Sequence, residues 1–126
     1  MDKLAKEWFA QADYDLDTAE YMLKGGRSFY AVFMAHLAIE KALKGLWQAK
    51  LNTVPPKTHN LLHMVDKIGA HPPDTLAKFL TTLNDASVPT RYPDELQKVM
   101  TDYSETVARD TLKKSREALA WIKAQQ

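Results

Sequence analysis

Between residues 28 and 50 the chain places Ala31, Ala35, Ala38, Ala42, Gly45 and Ala49 at three- and four-residue steps. On a helix this spacing forms a ridge of small side chains along one side, which a neighbouring backbone can approach closely. Val32, Ile39, Leu43 and Leu46 lie beside the ridge, so more than half of the circumference is apolar and other elements must enclose it. The pattern predicts a helix running through the centre of a bundle, with Ser28 as its N-cap.

Turn-forming residues divide the rest of the chain at Gly25-Gly26, Asn52 to Pro56, Gly69 to Pro73 and Val88 to Pro93. Before the first break, Leu4, Trp8, Ala12, Leu16, Ala19 and Leu23 recur at helical spacing, predicting a helix over 3–24. A third helix is expected after a Thr58 cap, with Leu61, Leu62, Val65 and Ile68 inward and Gly69 ending it. A fourth follows Pro73 and buries Leu76, Phe79, Leu80 and Leu83. The last spans about 94–124 and uses Val99, Tyr103, Val107, Leu112, Leu119 and Ile122. No strand-like alternation or repeat is visible, so the expected fold is all-α, an up-and-down antiparallel helical bundle of four to five helices.

A chain of 126 residues fits a single domain over 1–126. The absence of cysteine removes disulfides, thiolate metal sites and thiol nucleophiles, and is compatible with a reducing cytoplasm. No apolar run reaches the length of a membrane span, and the N-terminus opens an amphipathic helix; the expectation is a cytoplasmic protein with no membrane contact. A formal net charge of +1 supplies no broad attraction for nucleic acid, so any phosphate contact must come from a local cluster.

The most informative polar pattern is His36, Glu40 and Lys44, four residues apart on one side of the central helix and flanked by Phe29, Phe33 and Trp47. Glu40 is the natural hub, either fixing helix packing through its neighbours or presenting the stripe to a ligand. His59 and His63 are also four apart, but the HExxH pattern is missing and no third ligand stands out, so no metal is expected. His59, near a helix start, either bonds to the bundle or meets an anion. In the Pro-bracketed segment Pro89-Thr90-Arg91-Tyr92-Pro93-Asp94, Arg91 can grip a phosphate and Tyr92 can stack on a base; Arg91 can equally pair with a carboxylate such as Glu40. There is no Gly-rich phosphate loop, no GxSxG elbow and no two-metal carboxylate cluster, and no cofactor is implied.

Four blocks, Ala10-Gln11-Ala12-Asp13-Tyr14-Asp15-Leu16 with Ala19, the run His36 to Lys44, Thr58-His59-Asn60-Leu61, and Arg91-Tyr92-Pro93-Asp94, resemble in order and spacing the HEPN family (higher eukaryotes and prokaryotes nucleotide-binding domain), in its prokaryotic stand-alone form. The resemblance covers roughly residues 3–122. It implies a helical bundle that forms a homodimer, often beside a minimal nucleotidyltransferase in a toxin–antitoxin pair. Many relatives are metal-independent ribonucleases carrying an Arg followed four to six residues later by His. At those offsets from Arg91 stand Glu95, Leu96 and Gln97, which weighs against ribonuclease activity here. The reading that follows is a module binding a nucleotide or nucleic-acid phosphate through Arg91, Lys41 or Lys44, with Tyr92 nearby and His36, Glu40 and His59 in the same polar set. The alternatives are a ribonuclease in which a spatially adjacent His serves Arg91, and a non-catalytic interaction scaffold.

Overall fold

The computed structural model describes residues 2–126, in which seven helices and no strand are present. They are α1 (Lys3–Lys24), α2 (Ser28–Leu51), α3 (Leu61–Ile68), α4 (Asp74–Asp85), α5 (Ser87–Arg91), α6 (Leu96–Asp102) and α7 (Glu105–Ala124). The bundle is all-helical as expected, but with seven helices rather than four or five. Two departures account for the difference. The segment around Pro89 forms a helical turn, because a proline in the first turn of a helix forfeits no intrahelical hydrogen bond. The final segment breaks after Asp102, where the Ser104 side chain accepts from Val107 N and caps a new helix.

α2 packs against every other helix, and α1 and α7 also pack on each other. Its ridge is buried as the small residues require: Ala31, Ala35, Ala38 and Ala42 have no exposed surface. At Gly45 the approach of α1 is so close that a Cβ would stand 3.1 Å from both Trp8 Cβ and the Phe9 ring. The turn from α1 to α2 is a Schellman motif: Arg27 N donates to Met22 O and Gly26 N to Leu23 O, with Gly26 at φ 78°. One apolar cluster joins Phe9, Leu16, Ile39, Leu43, Leu46, Met64, Leu80, Leu83 and Ile122.

Several local expectations are corrected. Ser28 is the first residue inside α2, and Arg27 precedes it with no side-chain cap. Asn60, not Thr58, caps α3 by accepting from His63 N, while Thr58 Oγ1 accepts from Asn60 N. Leu4, Leu62 and Val107 are exposed, and Met64 takes the inward position between Leu61 and Ile68. Among the described residues no helix is long and apolar enough to cross a membrane.

Candidate functional site: a buried carboxylate beneath a histidine and an arginine

The four-residue spacing on α2 does bring His36, Glu40 and Lys44 together, and it does so inside the protein: all three are buried. Glu40 is the hub. Its Oε2 accepts from Lys44 Nζ at 3.0 Å and its Oε1 lies 2.7 Å from His59 Nδ1. Desolvating a carboxylate is costly, and these two partners offset that cost. Lys44 in turn lies over the Trp8 ring of α1, 5.7 Å from its centroid.

His59 reaches Glu40 from the connection between α2 and α3, which is fastened along its length. Trp47 Nε1 donates to Thr53 Oγ1 at 3.0 Å, Pro55 is buried, and Leu61 N donates to Asn84 Oδ1 at 2.9 Å. The imidazole is thereby fixed at Nδ1 while more than half of the side chain faces solvent. With Nδ1–H donating to Glu40, Nε2 is left as the accepting nitrogen.

Arg91, the last residue of α5, completes the arrangement. Its guanidinium lies 5.0 Å from the centre of the Phe33 ring, and Nη1 is 3.5 Å from His59 Nε2. Arg91 pairs with no carboxylate among the described residues, and its buried Nε has no hydrogen-bond partner there. The alternative of an Arg91–Glu40 pair is not what forms, since both Glu40 oxygens are taken by Lys44 and His59. Glu40 contributes one negative charge against positive charges on Lys44 and Arg91, so the group carries an excess of one positive charge before His59 is counted.

His36 sits beneath this group with no exposed surface, its Nδ1 4.0 Å from Glu40 Oε1, and neither ring nitrogen has a hydrogen-bond partner. Burial is the main cause that lowers its pKa from 6.5 to about 4; Glu40 pulls the other way, and Arg91 and His59 lower it further. At neutral pH it is an uncharged ring. Lys41 points elsewhere, in a 2.9 Å ion pair with Asp15 of α1. Tyr92 is 72% exposed beside Arg91. Among the described residues no group of three histidine or acidic side chains is placed to hold a metal ion.

Asp15 and Trp8 lie outside the expected polar set, yet each partners a lysine of α2, Asp15 pairing with Lys41 and Trp8 lying under Lys44. Their signal is present in the α1 pattern: Trp8, Ala12, Asp15 and Ala19 share the face of α1 that meets the small-residue ridge of α2, so a polar residue there must find a partner on α2.

An all-helical bundle with an unpaired arginine against a carboxylate-held histidine is the class of protein this arrangement describes. The HEPN domain family model matches residues 5–125, and the chain belongs to that family. Among solved structures it is similar to TT1696 from Thermus thermophilus, with 27% identity and a TM-score of 0.87 over 99% of this chain and 100% of that one. It is also similar to ST0689, an archaeal HEPN homologue, with 29% identity and a TM-score of 0.78 over 98% of each chain. No curated protein matches it.

Proposed function

We propose that this HEPN domain binds the phosphate of a nucleotide or nucleic acid at Arg91 and His59. The observation that carries the reading is the state of Arg91: a partly exposed guanidinium, stacked on Phe33, with no carboxylate partner among the described residues. A phosphate oxygen can take its open N–H groups in the bidentate manner that guanidinium favours. With Nδ1–H held by Glu40, a protonated His59 adds a second donor at Nε2–H, and Tyr92 offers an exposed ring to a base. Lys44 neutralises Glu40, and Lys41 serves the α1–α2 contact. A ligand that binds the folded state alone raises the unfolding temperature by mass action. Adenosine monophosphate and orthophosphate are expected to stabilise the wild type, and Arg91→Ala is expected to weaken that response about tenfold or more. Equal stabilisation of both proteins refutes the assignment.

A second reading is favoured by the Glu40–His59–Arg91 geometry itself. Nε2 of a neutral His59 can accept the proton of a ribose 2′-hydroxyl as that oxygen attacks the adjacent phosphorus. The bond from phosphorus to the 5′-oxygen then breaks, solvent or the new imidazolium protonates the leaving oxygen, and a 2′,3′-cyclic phosphate results. Arg91 stabilises the negative charge that gathers on the phosphorane oxygens. The 3.5 Å contact between Arg91 and Nε2 has to loosen as phosphate draws the guanidinium away. Cleavage of mixed RNA in the presence of chelator, lost in both Arg91→Ala and His59→Ala, supports this reading; intact RNA leaves the binding module.

A homodimer, and a minimal nucleotidyltransferase partner in a toxin–antitoxin-type pair, complete the proposal and rest on family membership alone. Sedimentation of the purified protein, alone and mixed with such a partner, tests both.

A further inference from the structure

His59 bridges two groups that make opposite demands on it. Its Nδ1 lies 2.7 Å from Glu40 Oε1 and its Nε2 lies 3.5 Å from Arg91 Nη1. A guanidinium carries donors and no acceptor, so its approach to Nε2 requires a lone pair there, and the ring proton then sits on Nδ1 and is donated to the carboxylate. A proton on both nitrogens would set an Nε2–H against the guanidinium N–H. The arrangement therefore fits a neutral ring.

An anion at Arg91 reverses the demand on Nε2. A deprotonated phosphate oxygen beside a neutral His59 meets the Nε2 lone pair, acceptor against acceptor. Protonation of Nε2 removes that repulsion and turns the ring into a second donor, while Nδ1–H stays on Glu40. It also completes the charge. With Lys44 cancelling Glu40, Arg91 leaves the group at one positive charge, and a protonated His59 brings it to two. A phosphate monoester carries about two negative charges above its second ionisation.

We infer that an anion at this site is bound with uptake of a proton on His59 Nε2, and that a terminal phosphate dianion is therefore taken in preference to an internal diester. The inference rests on the phosphate reading of Arg91 and His59. The other charged groups nearby are committed elsewhere or stand apart. On α2, Lys44 is paired with Glu40, and Lys41 is turned to Asp15 of α1. His36, 4.0 Å from Glu40, has a pKa lowered to about 4, chiefly by burial, and so remains neutral at the pH of the test. Lys57 of the connection, His63 of α3 and Tyr92 after α5 are exposed. α4 meets the connection through the Asn84 amide, which accepts from Leu61 N.

The test is calorimetric titration of the wild type with adenosine monophosphate at about pH 8, in buffers of differing ionisation enthalpy, which counts the protons taken up per ligand bound. At that pH an ordinary imidazole and a phosphate monoester are both unprotonated when free. Uptake should approach about one proton, and affinity should fall about tenfold for each further pH unit. The nitrogen-15 signal of His59 Nε2 should move from the accepting to the protonated range on binding, which places the proton on the ring and not on the ligand. His59→Gln, its fold checked by circular dichroism, keeps a side-chain donor that does not titrate; its uptake should be close to nil and its pH dependence flat. The 3′,5′-cyclic ester of the same nucleotide, a monoanion, should bind about tenfold more weakly than the monophosphate.

Binding without proton uptake refutes the inference and leaves the phosphate reading standing. Uptake that persists in His59→Gln, or an Nε2 that stays unprotonated, takes the proton away from His59 and refutes the assignment. A cyclic ester bound as tightly as the monophosphate refutes the preference for a dianion. Absence of binding, or binding unchanged in Arg91→Ala, removes the phosphate reading and this inference with it.

Discussion

Glu40 Oε1 and His59 Nδ1 are 2.7 Å apart, joining the buried middle of α2 to an exposed side chain of the following connection. This contact links the core to the candidate site. The carboxylate is held in place by α2, balanced by Lys44, and through it the bundle sets the direction in which His59 Nε2 faces.

Glu40→Gln keeps the shape of the side chain and removes its charge. Lys44 is then left buried without a counter-ion, and breaking one side of a buried pair costs about 3 kcal/mol or more. Urea unfolding should show a loss of that order. Lys44→Met, which removes the opposite charge, should restore part of the loss when combined with it, and the double-mutant cycle should show coupling.

His36 predicts an acid-side dependence of stability. Its pKa is about 4 in the fold, where burial dominates over the opposing pull of Glu40 and the added push of Arg91 and His59, against an ordinary 6.5. Between these values the unfolded chain binds more protons than the folded one. The stabilising effect of the neutral ring is therefore complete above pH 6.5 and declines as pH falls towards 4, by roughly 3 kcal/mol in all. Because neither ring nitrogen is hydrogen-bonded, His36→Leu should cost only about 1 kcal/mol at pH 7.5. The gap between the two proteins should close or reverse by pH 4.5, and a constant gap in denaturant unfolding would contradict the account.

Gly45→Ala sets helix propensity against packing. Alanine is favoured over glycine in a helix by about 1 kcal/mol. The new methyl would meet Trp8 Cβ at 3.1 Å, and that atom is tied to the α1 backbone and cannot turn aside. Overpacking of this kind costs about 1–3 kcal/mol, so the variant should be less stable than the wild type by about 1 kcal/mol. A thermal melt showing stabilisation would mean that α1 yields easily.

Much of the fold was legible because its strongest signals are local. The small-residue ridge identified α2 as the centre, and the glycines at 26 and 69 marked two helix ends through left-handed backbone. The breaks flanking α6 were hidden for physical reasons. Val99, Tyr103 and Val107 keep a four-residue period straight through the interruption, and Ser104 caps without the acidic residue three positions on that completes a capping box. Pro89 signalled a loop where it occupies a first helical turn. The polar stripe on α2 was readable from spacing alone. The Arg91–His59 contact was not: the two are 32 residues apart, and only the packing of α5 and the α2–α3 connection against α2 brings them together.

The central claim, that Arg91 and His59 form one phosphate site, is tested most directly by following the imidazole protons of the four histidines by NMR during titration with orthophosphate and then adenosine monophosphate. The account predicts that the His59 signals move with a saturable dependence on ligand, that those of exposed His63 and His71 do not, and that the response is lost in Arg91→Ala. A His59 signal that stays still, or one that moves equally in Arg91→Ala, would contradict it.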